Sequence, residues 1–247
     1  MTTPDPAHFE RHADIYERAR PAYPEELWRR LGDLGLLTAG GRALDLGAGT
    51  GQATGRLLAE GMHVTAVEPG PGLAARLAER FPQVTVVPTT AERAALPEAQ
   101  FDVAVAATSI HWMDLSVVLP KVHDALSSDG RLLVWRHVFG DPCVPTDFRL
   151  RVAEITHQRS HAMRPGPADI DTDGWADSLE ASGLFRVEYR EVFRWSIRLN
   201  AVEVRDLFTT FSDWSPVEVS EAEQAVRELG GHVVEHYLTP LLVLSRV

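Results

Sequence analysis

The stretch "ALDLGAGTG", residues 43–51, constrains this chain more than any other: an apolar run ends on an acid and then passes through three glycines in five residues. With the helix-prone "QATGRLLAEG" behind it, the pattern reads as strand, turn and helix. Gly47, Gly49 and Gly51 allow positive φ angles and let backbone N–H groups come close to a ligand. Asp45 would repel a phosphate at this turn and favour a cationic ligand; its plainer reading is a cap on the next helix. A dinucleotide-binding G-x-G-x-x-G needs a further glycine at 52 or 54, where Gln52 and Thr54 stand, so the pyrophosphate fingerprint fails in both frames.

The flanking texture gives the fold class. Short apolar runs, "RALDLG", "HVTAVEP", "VTVVPT", "FDVAVAAT" and "RLLVWRHVF", alternate with helical patterns such as Leu73, Leu77, Phe81 and Leu115, Val118, Leu119, Val122, Leu126. Strands apolar on both faces and separated by helices predict a parallel sheet covered on both sides, an α/β doubly wound unit. Two helices precede it, one carrying Phe9, Ile15, Tyr16 and Ala19, the other opening at Pro24 with Leu27, Trp28, Leu31 and Leu34 on one stripe. After "RHVFG", residues 141–170 are too long for a simple connection and read as an inserted helical element. A helix ending near "SLEASGLF", a strand "FRVEYREVFRWSIRL", a helix within 201–215 and a final edge strand "EHYLTPLLVLSRV" complete the expectation. Residues 1–247 are read as one domain.

Composition limits the partners. Lys plus Arg number 24 against 35 Asp plus Glu, a net charge of −11, with no basic run to attract nucleic acid or an anionic membrane. Cys143 is the sole cysteine, which excludes an intramolecular disulfide. No apolar run reaches membrane-spanning length and the first residues are charged throughout, so the expected location is the cytoplasm.

The second strand ends in Glu68, seventeen residues beyond Gly51, where an acid can accept hydrogen bonds from both hydroxyls of a ribose. Here the chain resembles the class I S-adenosylmethionine-dependent methyltransferases, through "ALDLGAGTG", "VEPG", "TTAERAALPEAQFDVAVAATSIHW" and the "DGRLLV" strand opening. "FERHADIYERARPAYP" and "IHWMD" look like a bacterial small-molecule branch near the methyltransferase type 11 and trans-aconitate methyltransferase-like groups. The resemblance covers at least residues 8–137. It implies a Rossmann-like, seven-stranded sheet with the last strand antiparallel, and S-adenosyl-L-methionine as cofactor. It places Gly47, Gly49 and Gly51 beside the methionyl part, Asp45 on that loop or on the cofactor's ammonium, and Glu68 on the ribose. Thr90, Ala91 and Glu92 border adenine; relatives often carry an acid where Thr90 stands, so which of the three meets the base stays open. Thr108 lies near the methionyl group, and Tyr16 and Arg20, within N-terminal helices spanning 1–37, close over the cofactor. Segments 141–170 and 201–215 form a substrate cap.

Other residues are weighed on their chemistry. His111, after the fourth strand, is a candidate base, since histidine as a residue type titrates near neutrality; the competing reading is that it orients substrate or packs beside Trp112, itself read as pocket lining. Arg136 and His137 end the fifth strand and are candidate binders of an acidic substrate, against the alternative of a surface salt bridge. His157 and His161 have a metal-compatible spacing, but no acid motif accompanies them and Arg159 and Arg164 flank them, so no metal is expected. Phe208, Phe211 and Trp214 read mainly as core. The leading function is methyl transfer to a small molecule, at an oxygen. The alternatives are a nicotinamide-dependent oxidoreductase, which the broken fingerprint opposes, and a cofactor-binding protein without transfer activity.

Overall fold

The computed structural model describes residue 15, residues 18–157 and residues 171–247. The chain divides into two compact units. The larger comprises the described residues of Tyr23–His137, Pro167–Phe193 and Thr239–Val247; the smaller comprises those of Met1–Ala22, Val138–Gly166 and Arg194–Leu238.

The larger unit opens with α1 (Glu25–Asp33), whose Leu27, Trp28 and Leu31 fall on one helical face and are buried. It continues through β1 (Arg42–Leu46), α2 (Gln52–Ala59), β2 (His63–Val67), α3 (Pro71–Arg80), β3 (Thr85–Val87) and β4 (Phe101–Ala107). A short 3₁₀ turn (Ile110–Trp112), α4 (Leu115–Ala125) and β5 (Leu126–Trp135) follow. Strands β1 to β5 are parallel, and β1 lies between β2 and β4, with Asp45 opposite Ala66 on one side and Val105 on the other. The order β3-β2-β1-β4-β5 therefore reverses direction between β1 and β4, which is where open α/β sheets bind ligands beyond their strand ends.

Helices cover both faces, as doubly apolar strands require. Ala43 belongs with Leu27, Leu31, Leu57 and Leu77 on one side; Leu44 and Leu46 belong with Val118, Leu119, Val122 and Leu179 on the other. Removing each such Leu from water contributes roughly 1.5–3 kcal/mol. Leu179 lies in α6 (Thr172–Glu180), the helix expected before "SGLF".

The last strand, β8 (His232–Arg246), runs antiparallel to β5, pairing Leu241 with Trp135 and Ser245 with Arg131. The mixed sheet with an antiparallel last strand matches the expected class, but β8 is not an edge. The long β7 (Phe185–Asn200) also pairs with it. The reason is visible in its residues, since Tyr237 to Leu244 are all buried and an outer strand would leave one edge of such an apolar run without partners.

In the smaller unit, α5 (Asp147–His157), α7 (Ala201–Thr209) and α8 (Pro216–Glu228) pack together, and β6 (Val138–Phe139) pairs with the first half of β8. α7 and α8 each begin in a capping box, Asn200 with Glu203 and Ser215 with Glu218, so each helix start satisfies its own donors. Segment 141–170 thus supplies α5, and segment 201–215 supplies α7. Phe208 is fully buried, and Phe211 and Trp214 pack against the same core.

Candidate functional site

The turn after β1 is fixed from several sides. The N–H groups of Gly47 and Ala48 both donate to Val67 O, at 2.8 and 3.1 Å, closing the chain over the end of β2. The three glycines, all at positive φ, meet different needs. A Cβ at Gly47 would stand 2.7 Å from Ser109 Cβ, and one at Gly51 would stand 2.4 Å from Leu77 Cδ1. A Cβ at Gly49 would meet nothing within 4 Å, so two glycines admit neighbouring protein while the middle one faces open space.

Glu68 braces that middle glycine. Its carboxylate is buried, accepting the Gly49 N–H on Oε2 at 2.7 Å and the Gly70 N–H on Oε1 at 2.8 Å.

Asp45 is 1% exposed. Thr54, one turn into α2, donates its hydroxyl to Asp45 Oδ2 at 2.6 Å, while Oδ1 has no hydrogen-bond partner among the described residues. Burial pushes this carboxyl up from its ordinary 3.8 to about 6; the Thr54 hydroxyl opposes the shift and the Glu68 charge adds to it. A buried acceptor left half satisfied is costly, which marks a place where a donor or cation from outside would be stabilised.

The end of β4 contributes Thr108 and Ser109. Thr108 holds φ at +58°, its N–H donating to Trp135 O at 2.7 Å, and Ser109 Oγ donates to Leu46 O at 2.5 Å. Residues 90–92 form a turn in which Thr90 O accepts the N–H groups of Arg93 and Ala94. Ala91 is buried, and Lys121 Nζ donates to Ala91 O at 3.3 Å and Glu92 O at 2.6 Å. Burial pushes the Glu92 carboxyl up, but the Asp114 N–H, 2.9 Å from Oε1, together with the Glu92 N–H and the Thr90 hydroxyl, outweighs it and leaves the group below its usual range. The Glu92 carboxylate is thus turned to the start of α4.

His111 and Trp112 lie on the exposed 3₁₀ turn with their rings 4.5 Å apart. Arg136 spreads its guanidinium 4.8 Å over Trp175. His137 is buried, stacked on Tyr23 at 4.4 Å, with Nδ1 3.3 Å from Thr239 Oγ1. In the smaller unit, Arg20 donates to Thr210 O at 3.1 Å and lies 4.5 Å over Phe211. Tyr16 and His161 fall outside the described residues.

Sequence reading missed Thr54, Ser109, Lys121 and Tyr23. Thr54 has a local signal, a hydroxyl one turn into the helix behind an acidic strand end. The other three depend on contacts between distant segments.

Residues 44–134 match the family of methyltransferase domains. A Dictyostelium discoideum protein with a provisional methyltransferase name is 31% identical over 226 residues, 87% of this chain and 81% of that one. An uncharacterized methyltransferase of Mycobacterium tuberculosis is 41% identical over 121 residues, and this match spans about half of each chain, 49% and 48%. A provisionally named type II methyltransferase structure from Anaeromyxobacter dehalogenans superposes with a TM-score of 0.67 at 24% identity, covering 92% of this chain and 97% of that one. Phosphoethanolamine N-methyltransferase 2 of Haemonchus contortus, in complex with S-adenosyl-L-methionine, gives a TM-score of 0.58 at 17% identity over 99% and 58%. The chain belongs to the class I methyltransferases.

Proposed function

We propose that this chain binds S-adenosyl-L-methionine at the β1–β4 reversal and transfers its methyl group to an oxygen of a small molecule. The observation that carries the reading is the Glu68 carboxylate locked onto Gly49, the glycine whose outer side is open. The residues present fit this cofactor: a buried acceptor with an unmatched oxygen at Asp45, the Glu68 carboxylate at the next strand end and no phosphate fingerprint suit a ligand rich in hydroxyl donors and positive charge. Glu68 would hold the ribose hydroxyls, Gly47 to Gly51 would line the methionyl part with Thr108, and the 90–92 turn would border adenine.

When bound, the cofactor would supply an electrophilic sulfonium methyl, and the thioether would leave with the electron pair of the carbon–sulfur bond as the acceptor oxygen bonded to carbon. The protein's task is to align that oxygen and exclude water, and alignment alone contributes up to about 7–11 kcal/mol in favourable cases. A carboxylate acceptor needs no base. For a hydroxyl acceptor, His111 is the group assigned to take the proton or to orient the oxygen, with Trp112 as lining and Arg136 and His137 as candidate contacts for an acidic acceptor. The acidic chain suits a small-molecule acceptor rather than nucleic acid. No described helix is long and apolar enough to cross a membrane, and the cytoplasm is the location proposed.

Calorimetric titration with S-adenosylhomocysteine, on wild type and Glu68→Ala, tests the reading. Loss of charge-assisted hydrogen bonds to the ribose should weaken binding by about a hundredfold. Absence of binding to wild type would overturn the proposal, and nicotinamide dinucleotides would be titrated next.

A further inference from the structure

Thr108 is a β-branched residue at φ +58°, a left-handed conformation that such residues rarely adopt. Strain of this kind persists where surrounding contacts over-determine it. Here the Thr108 N–H is fixed on Trp135 O, and its Oγ1 lies 2.9 Å from the hydroxyl of Tyr23, with the His137 N–H 3.4 Å away. The next residue transmits the position onward: Ser109 Oγ donates to Leu46 O, and the Ser109 Cβ fills the space that a side chain at Gly47 would need. A path of contacts therefore runs from Tyr23 through Thr108 and Ser109 to the glycine turn.

Tyr23 is built as a rigid mount for its hydroxyl. The ring is buried, edge-on to Trp28 and Trp135 at 6.4 and 5.6 Å, and stacked on His137. His137 is steadied by Thr239. Packing of this kind needs the ring alone, so a phenylalanine would fill the site equally well, and the hydroxyl has a separate task.

We propose that Tyr23 is a positioning residue: its hydroxyl holds Thr108 in the left-handed conformation and, through Ser109, sets the glycine turn against the methionyl end of the cofactor. This rests on the cofactor reading given above.

The test titrates S-adenosylhomocysteine into wild type, Tyr23→Phe, Thr108→Ser, Thr108→Gly, and each Thr108 variant combined with Tyr23→Phe, with thermal unfolding of all six. Tyr23→Phe should weaken binding about tenfold, the order of one buried hydrogen bond. Its Tm should stay within about 3 °C of wild type. Thr108→Ser keeps the hydroxyl and should remain sensitive to Tyr23→Phe, losing about a further tenfold when the two are combined. Thr108→Gly accepts the left-handed φ without strain but has no hydroxyl, so adding Tyr23→Phe should cost nothing further. A tyrosine needed for packing alone would leave Tm and affinity unchanged on Tyr23→Phe in every background. Wild-type affinity in Tyr23→Phe, or the full tenfold loss in the Thr108→Gly background, would overturn the proposal while leaving the cofactor reading intact. Equal absence of binding in wild type and Glu68→Ala would overturn both.

Discussion

Each unit buries a carboxylate that keeps one oxygen without a hydrogen-bond partner among the described residues, and the two differ in the charge beside them. Glu235, in the smaller unit, is 1% exposed and receives both Nε and Nη2 of Arg149 on Oε1, at 2.7 and 2.5 Å. Asp45, in the larger unit, is equally buried but receives neutral donors, the Thr54 hydroxyl and the Thr54 N–H. Burial raises the pKa of both; at Glu235 the Arg149 charge opposes the rise, whereas at Asp45 no cation does. One carboxylate carries its counter-charge within the fold. The other is left short of one, at the strand ends where the proposed cofactor would bring positive charge. A buried acid supplied with a cation reads as architecture, and a buried acid without one reads as half of a binding site.

Arg149→Met should break that comparison at its structural end. Leaving Glu235 buried without its cation should cost about 3–5 kcal/mol of stability in urea unfolding, and adding Glu235→Leu should recover most of it. A cost below about 1 kcal/mol would place Arg149 among surface pairs and dissolve the contrast.

Asp45 sharpens the comparison through pH. Its carboxyl ionises near 3.8 in the unfolded chain and near 6 in the folded one, so between these values the folded state binds the extra proton. Its stabilising contribution is therefore complete below about pH 4 and is lost as pH rises through about 6. The difference in pKa corresponds to about 3 kcal/mol. Asp45→Asn does not titrate, so its stability relative to wild type should rise by about that amount between pH 4 and pH 7, read from denaturant midpoints. The same variant should bind S-adenosylhomocysteine more weakly at pH 7. Parallel pH profiles for the two proteins would show that Asp45 is ionised at little cost and remove its distinction from Glu235.

The sequence made Asp45, the three glycines and Glu68 legible because they lie at successive strand ends, where a period of strand, turn and helix fixes position by counting. It did not reveal that Glu92 turns its carboxylate to Asp114, or that Ser109 reaches Leu46 across 63 residues and Tyr23 reaches Thr108 across 85. Such contacts depend on which strands become neighbours, and β1 beside β4 is a topological fact with no local signature. The same gap explains β8: an apolar final strand is consistent with an edge until the second partner, β7, is known. The Arg149–Glu235 pair was invisible for a related reason, since an arginine in a helix and a glutamate in a strand carry no mark of burial until they meet.

The smallest expected effects come from two glycines that restate the contrast in the backbone. Gly140, at φ +77°, leaves its outer side filled by Arg149, whose Nε would lie 2.7 Å from an added Cβ. Gly140→Ala must therefore bear both left-handed strain and displacement of a paired guanidinium, about 2–4 kcal/mol together. Gly49, at φ +58°, has nothing within 4 Å, so Gly49→Ala should bear the strain alone, about 1–2 kcal/mol. Binding should invert the order: the added methyl at Gly49 enters the space assigned to the cofactor, and S-adenosylhomocysteine affinity should fall while Gly140→Ala leaves it near wild type. If Gly49→Ala binds as wild type does, the open side of the turn is not where the ligand lies, and the unmatched oxygen of Asp45 would need another explanation.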